Sequence, residues 1–524
     1  MFNFKKKDSM RIKPLFWGIA GIAALSLTAC NSDLLDKPNG NPENVDAYLT
    51  LQLVGPEGQK LTRTTAGEDG TEAGTAVQNK ISSLKVFLCN PADHKVKATY
   101  DVTESQLDDI PGGVKTKQIL TTAGTFEVYV IANPSAGLTV ALDDVLTGKT
   151  IENVTEALMK SAYAADNTFM MFNECNGTDD IAGSSITITA ANDYDHPATC
   201  DPIEMDRLAV QIRSTLAESV DISGITADNA FFTAADLQGY KLLNGATEVN
   251  LQQKWSNTIA GMGSTYLWDN ILQTPSLSEG TNAGNDAGYY NHLTNFRTVT
   301  ITNGAYTTVK DLYATVNPYE TTAKGSIFCM ENHPTSALMG NTTGLVYQFK
   351  ATVTGSDDKA GAGCFYGYSD EYFSSLAALQ AAYPNVFAKA APEGTSAEQL
   401  AAAENELAAA YASADNQTEI SNFRTKYNVK VYTEGLMYYT YFIKDQNYQN
   451  SSLSGSDKRY YSVMRNTIYD LKVKKLNGIG TDIPGGWTPD VDDPKDPVDP
   501  INMYMIVEAT VNAWVLSEEE VELQ

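Results

Sequence analysis

The last strand-like segment of this chain places the tightest constraint on its fold. Met503, Met505, Val507, Ala509, Val511, Ala513 and Val515 alternate strictly with Tyr504, Glu508, Thr510, Asn512 and Trp514 among the residues between them, so a strand here carries one apolar face. Residues 485–500, just ahead of it, hold four prolines and five aspartates. That composition cannot pack and repels itself into an extended linker. A lone amphipathic strand on such a tether leaves its ladder groups and its apolar face unsatisfied. It must either fold back onto its own domain or complete the sheet of a neighbouring molecule by strand addition.

The other end of the chain assigns a compartment. Lys5, Lys6, Lys7, Arg11 and Lys13 form a basic region, and residues 15–29 form an apolar run too short and too rich in Gly and Ala for a comfortable membrane span. The run closes on Leu27-Thr28-Ala29-Cys30, which resembles a bacterial lipoprotein signal. In that reading residues 1–29 are removed and Cys30 carries the lipid, a diacylglycerol-type anchor of the kind that includes palmitate. An ordinary secretory signal with an incidental cysteine is the alternative. Both readings export the protein.

A chain of 524 residues exceeds what one core organises, so two domains are expected. The formal net charge of -27 becomes -27 - 4 = -31 without residues 1–29, which carry five basic residues and one acidic residue. So acidic a protein is a poor partner for nucleic acid. Cys89, Cys175, Cys200, Cys329 and Cys364 show no paired spacing, so neither a disulfide framework nor a zinc site is implied, although a Cys175–Cys200 bridge stays open. The four histidines, His94, His196, His292 and His333, sit in polar or turn-like contexts without a metalloprotease, hydrolase or phosphate-loop motif. No catalytic residue, metal site or cofactor is expected. The Asp490, Asp492, Asp493, Asp496 and Asp499 cluster lacks the glycine and terminal glutamate of a calcium loop and reads as solvated linker.

Between the ends, short alternating apolar runs separated by Gly, Asn, Asp and Pro give the texture of antiparallel β-sandwiches. Strands are expected at 83–88, 124–132, 185–189, 208–214, 296–302, 345–353, 437–444 and 466–474. Helix is expected at 395–412, opened by a Thr395/Glu398 capping box, and at 371–383. Near the start, Ala47, Leu49, Leu51 and Leu53 share one face of a strand over 45–54, stopped by Gly55-Pro56. The polar stretch from 59 to 75 then reads as an exposed, protease-accessible loop with Arg63 as its conspicuous residue. The aromatic runs 364–368 and 438–442 could stack on sugar rings, but alternating aromatics in β-proteins are mostly sheet core.

Three internal stretches, with the two ends, resemble one family. They are Phe126-Glu127-Val128-Tyr129-Val130-Ile131-Ala132-Asn133 followed by Phe169-Met170-Met171-Phe172-Asn173; Glu204-Met205-Asp206-Arg207-Leu208-Ala209-Val210; and Tyr461-Ser462-Val463-Met464-Arg465-Asn466-Thr467-Ile468-Tyr469, followed by Gly478-Ile479-Gly480. Together they are similar to the Bacteroidales type V pilins, the fimbrial shaft subunits, especially the short-fimbria major type.

The resemblance implies a mainly all-β fold of two antiparallel, transthyretin-like β-sandwiches. The expected divisions are a signal peptide at 1–29, a lipidated propeptide with a temporary strand at 30–63, an N-terminal sandwich at 64–202, a C-terminal sandwich at 203–486 with a helical insertion at about 370–412, and a linker with donor strand at 487–524. It implies delivery to the outer membrane on Cys30, a cut between Arg63 and Thr64 by an arginine-specific protease, and polymerisation by donor-strand exchange. Lys60 is an alternative cut. The partners implied are copies of this chain, anchor and tip subunits, and the protease. The role implied is a pilus shaft that supports adhesion, against a tip or anchor subunit or a monomeric glycan-binding surface lipoprotein.

Overall fold

The computed structural model describes residues 46–55, 71–134, 148–151, 158–159, 168–173, 183–215, 220–243, 249–252, 301–302, 305–306, 325–332, 342–444, 461–483 and 505–515. Its first part contains β1 (Asp46–Leu49), β2 (Gln52–Val54), β3 (Thr71–Ala73), β4 (Ser83–Cys89), β5 (Val96–Thr103), β6 (Leu107–Ile110), β7 (Gly113–Thr116), β8 (Ile119–Thr122), β9 (Gly124–Ala132), β10 (Leu158–Met159), β11 (Met171–Asn173), β12 (Ser184–Ile188) and β13 (Ile203–Arg207). Nine of these strands form one sheet in the order β5-β4-β9-β11-β13-β2-β7-β6, with β12 also on β9; β1 pairs separately with β8.

Burial on both faces explains why β4 and β9 are apolar over most of their length. Leu84, Val86 and Leu88 with Val128 and Val130 enter one core, shared with Tyr100, Val114, Ile186, Ile203 and Met205. The opposite face sends Phe87, Cys89, Tyr129 and Ile131 into a second cluster with Phe169, Phe172, Leu208, Ala209, Met330 and Ile468. That second cluster joins the first sheet to the rest of the molecule. The β6–β7 hairpin turns at Pro111-Gly112, where Gly112 has φ of +71°, a conformation that favours glycine.

The second part contains β14 (Ala209–Thr215), α1 (Ser223–Thr226), β15 (Phe232–Leu243), β16 (Val249–Asn250), β17 (Ile301–Thr302), β18 (Ala305–Tyr306), β19 (Ser326–Met330), β20 (Gly344–Val353), β21 (Phe365–Tyr368), β22 (Glu371–Phe373), α2 (Leu376–Ala382), α3 (Ser396–Ala412), α4 (Asn416–Tyr427), β23 (Lys430–Tyr432), β24 (Leu436–Phe442), β25 (Thr467–Leu476) and β26 (Met505–Val515). A sheet ordered β19-β14-β25-β26-β3 and another ordered β15-β20-β24 supply a core rich in tyrosine, including Tyr240, Tyr347, Tyr439, Tyr441 and Tyr469. β10 with β16 and β17 with β18 form two-residue ladders. The chain passes from the first large sheet to the second between Arg207, the end of β13, and Ala209, the start of β14.

The helical insertion departs from expectation in two respects. Residues 371–373 are strand rather than helix, because Ser369 and Asp370, both at positive φ, close a tight hairpin between β21 and β22. The helix starts only where the Ser375 hydroxyl accepts from the Ala378 N–H. The insertion also continues beyond 412. α4 lies in polar sequence, but its Ile420, Phe423 and Tyr427 join Leu376, Leu379, Leu407 and Val431 in a separate core. The capping box at Thr395 and Glu398 forms as expected.

Candidate assembly site

The strand expected at 45–54 divides at Thr50-Leu51 between two ladders. β1 runs antiparallel to β8, with Ala47 opposite Thr121 and Leu49 opposite Ile119. β2 lies between two strands of the large sheet, parallel to β13 through Leu53 and Ile203 and antiparallel to β7 through Leu53 and Val114. The break is bridged as well. Thr50 N–H donates to the Ala198 carbonyl, Leu51 N–H donates to the Thr116 hydroxyl at 2.9 Å, and Thr116 N–H donates to the Leu51 carbonyl. The segment is therefore held by backbone bonds on both sides.

Ala47, Leu49, Leu51 and Leu53 all stand at 0% exposure inside the first core. This segment completes the sheet and fills the core together. At about 1.5–3 kcal/mol per fully buried large apolar side chain, the three leucines contribute several kcal/mol of retention.

The C-terminal segment lies on its own domain, the simpler of the two placements its sequence allowed. β26 runs antiparallel to β25, with Val511 opposite Tyr469 and Ala509 opposite Leu471. Met505, Ala509 and Val511 are buried in the tyrosine-rich core, Val507 packs against it, and Ile506 on the other face is 47% exposed. Ala513 and Val515 lie in the ladder. Met503, Cys30, Arg63, Thr64 and Lys60 fall outside the described residues.

Thr71, Glu72 and Ala73, expected to lie in an exposed loop, form β3, parallel to Ala513, Trp514 and Val515 of β26. The Glu72 carboxylate grips the Arg213 guanidinium at two points, each 2.5 Å, and Arg213 Nε donates to Asp470 at 3.0 Å. Glu72 and Asp470 together raise the pKa of Arg213. Sequence reading missed this triad, because a short strand in Gly- and Glu-rich sequence has no periodicity to betray it.

A second charged cluster sits where the two large sheets meet. Arg207, at 0% exposure, donates to Asn466 Oδ1 at 3.0 Å, to the Gln78 carbonyl and to Asn79 Oδ1. Arg465 bonds Glu331 at 2.6 Å and the Leu251 carbonyl at 2.6 Å. Burial pushes the neighbouring Asp206 carboxyl up to about 7, with Arg465 opposing and Glu331 reinforcing the shift. Arg207 and Arg465 belong to two of the stretches that carried the family resemblance.

The aromatic runs turn inward. Phe365, Tyr366, Tyr439 and Tyr441 are buried, with Phe365 stacked on Tyr432 at 4.1 Å between ring centroids. Cys200 carries no disulfide, and burial pushes its thiol up to about 11. Cys175 lies outside the described residues.

Residues 47–207, which begin inside β1 and end at Arg207, match the model of the family "Major fimbrial subunit protein (FimA)". Residues 430–520, which include β25 and the C-terminal strand, match "Major fimbrial subunit protein type IV, Fimbrillin, C-terminal". Over these two stretches the chain is similar to fimbrial subunit proteins. Solved structures similar to this chain include a fimbrilin from Porphyromonas gingivalis, at 13% identity and a TM-score of 0.42, covering 91% of this chain and 99% of that one. The tip fimbrial protein Mfa3 of the same organism, with a C-terminal truncation, is 10% identical with a TM-score of 0.36, covering 90% of this chain and 100% of that one. No curated protein matches the sequence. The family is a structural one, and its subunits are built into surface fimbriae.

Proposed function

We propose that this protein is the repeating shaft subunit of an adhesive fimbria and polymerises by protease-triggered donor-strand exchange. The precursor travels to the outer membrane on a lipid at Cys30, with β2 as temporary occupant of its first large sheet and β1 as temporary partner of β8. An arginine-specific protease cuts between Arg63 and Thr64, and the strand over Met503, Met505, Val507, Ala509, Val511, Ala513 and Val515 of another copy takes the vacated slot. Anchor and tip subunits bound the filament, and no step requires a cofactor or catalysis by this chain.

The observation that carries this reading is the leader itself. β2 occupies a central position in the nine-stranded sheet, β1 pairs with β8, and all four inward side chains of the segment are fully buried, while the sequence joining it to β3 contains Arg63. Removing such a strand opens two ladder edges and an apolar trough, which only another strand satisfies. The seven alternating donor residues outnumber the four of the leader. Donor and slot are different surfaces, so the contact propagates into an open filament rather than closing a dimer.

N-terminal sequencing of protein from sheared surface filaments tests the scheme. The expected first residue is Thr64. Cys30 at the start of filament-borne protein sinks it.

A further inference from the structure

The strand that follows the proposed cut lies against the strand proposed as donor. β3 pairs along the outer edge of β26, and Glu72 holds both Arg213 of β14 and, through that guanidinium, Asp470 of β25. With only three residues, β3 has too few ladder bonds to persist unaided. It is tied to the fold through the chain on both sides. Downstream, Arg207 donates to the Gln78 carbonyl and to Asn79 Oδ1, and Asn79 Nδ2 donates back to the Gly74 carbonyl at 2.8 Å. Upstream, the chain runs back to Gly55, whose N–H donates to the Gly112 carbonyl beside β2.

We propose that β3 is a clasp that keeps the C-terminal strand on its own sheet while the chain between β2 and β3 is intact, so that one cut loosens both the occupant of the slot and its replacement. This deepens the strand-exchange reading and rests on it for its biological purpose. The physical basis is chain connectivity. A segment tied at both ends is held near its partner at high effective concentration, and cutting one tie lowers that concentration without altering a contact. Glu72 supplies the specific grip, because its two-point pair with Arg213 is partly shielded, with the Arg213 side chain 14% exposed. Before the cut the donor's edge is covered at Ala513, Trp514 and Val515, which also guards that end against premature pairing between precursors.

Hydrogen exchange on the full-length monomer, followed in peptides covering 505–515, tests the clasp. Cutting after Arg63 with an arginine-specific protease speeds exchange there about fivefold to tenfold, the loss expected when the tether goes. Glu72→Gln does the same without a cut, and protease leaves an Arg63→Ala chain unchanged. Exchange in β4 and β9 stays constant throughout, and the cut wild-type chain reads the clasp even where the substitution disturbs folding. Equal protection of 505–515 in cut and uncut chains overturns the proposal, as does equal protection in Glu72→Gln and wild type. Because these rates are read on monomers, a loosened strand that builds no filament contradicts strand exchange and leaves the clasp standing.

Discussion

Gly113 lies so close to Leu53 that a Cβ added to it would stand 1.9 Å from the Leu53 carbonyl oxygen. β7 thus approaches the leader backbone to a distance that only glycine allows. Gly113→Ala forces the two strands apart and is expected to destabilise the uncut precursor by about 1–3 kcal/mol, the usual effect of overpacking. A lowered thermal midpoint, with faster exchange in β1 and β2 than in β4, is the signature.

The leader's retention depends on its leucines. Leu49→Ala and Leu53→Ala each remove a fully buried side chain from the first core, at about 2–5 kcal/mol apiece. After cutting, the substituted leader peptides dissociate faster than the native one. Size-exclusion chromatography with mass analysis of the released peptide reads the difference.

Asp206 makes stability depend on pH. Its folded-state pKa rises from 3.8 to about 7, because burial outweighs the attraction of Arg465 and Arg207, while Glu331 and Glu204 add repulsion. The folded chain therefore holds a proton that the unfolded chain has lost, and this contribution to stability falls as pH rises from 3.8 toward 7, then levels off. The thermal midpoint of wild type should drop across that window relative to Asp206→Asn. Parallel profiles for the two proteins contradict the assignment.

The Arg465–Glu331 pair is nearly fully enclosed, with side-chain exposures of 1% and 4%. Arg465→Met strands the carboxylate in a medium that cannot solvate it, at about 3–5 kcal/mol. Removing both charges together, with Glu331→Gln added, should restore much of the loss, and chemical denaturation of the three proteins measures it.

Much of this architecture is legible in the sequence because period-two patterns survive wherever one or both faces are buried. The strand expected at 124–132 spans the same residues as β9, and the capping box at Thr395 marks the start of α3. The leader's four inward residues were readable for the same reason. The break at Thr50-Leu51 was not, since handing a strand from one ladder to the next leaves the alternation intact. α4 hides its few apolar residues among polar ones, and β22 owes its form to a turn at two non-glycine residues. Glu72 and Arg213 lie far apart in sequence, so their meeting is a property of the folded sheet alone.

The central claim is that the leader and another copy's C-terminal strand compete for one slot. Assembly of purified precursor after cutting at Arg63, followed by light scattering and electron microscopy, tests it most directly. The full-length chain should form filaments only after the cut, while a chain lacking residues 503–524 and an uncut Arg63→Ala chain should both remain monomeric. Filaments from the truncated chain at the wild-type rate would contradict the account.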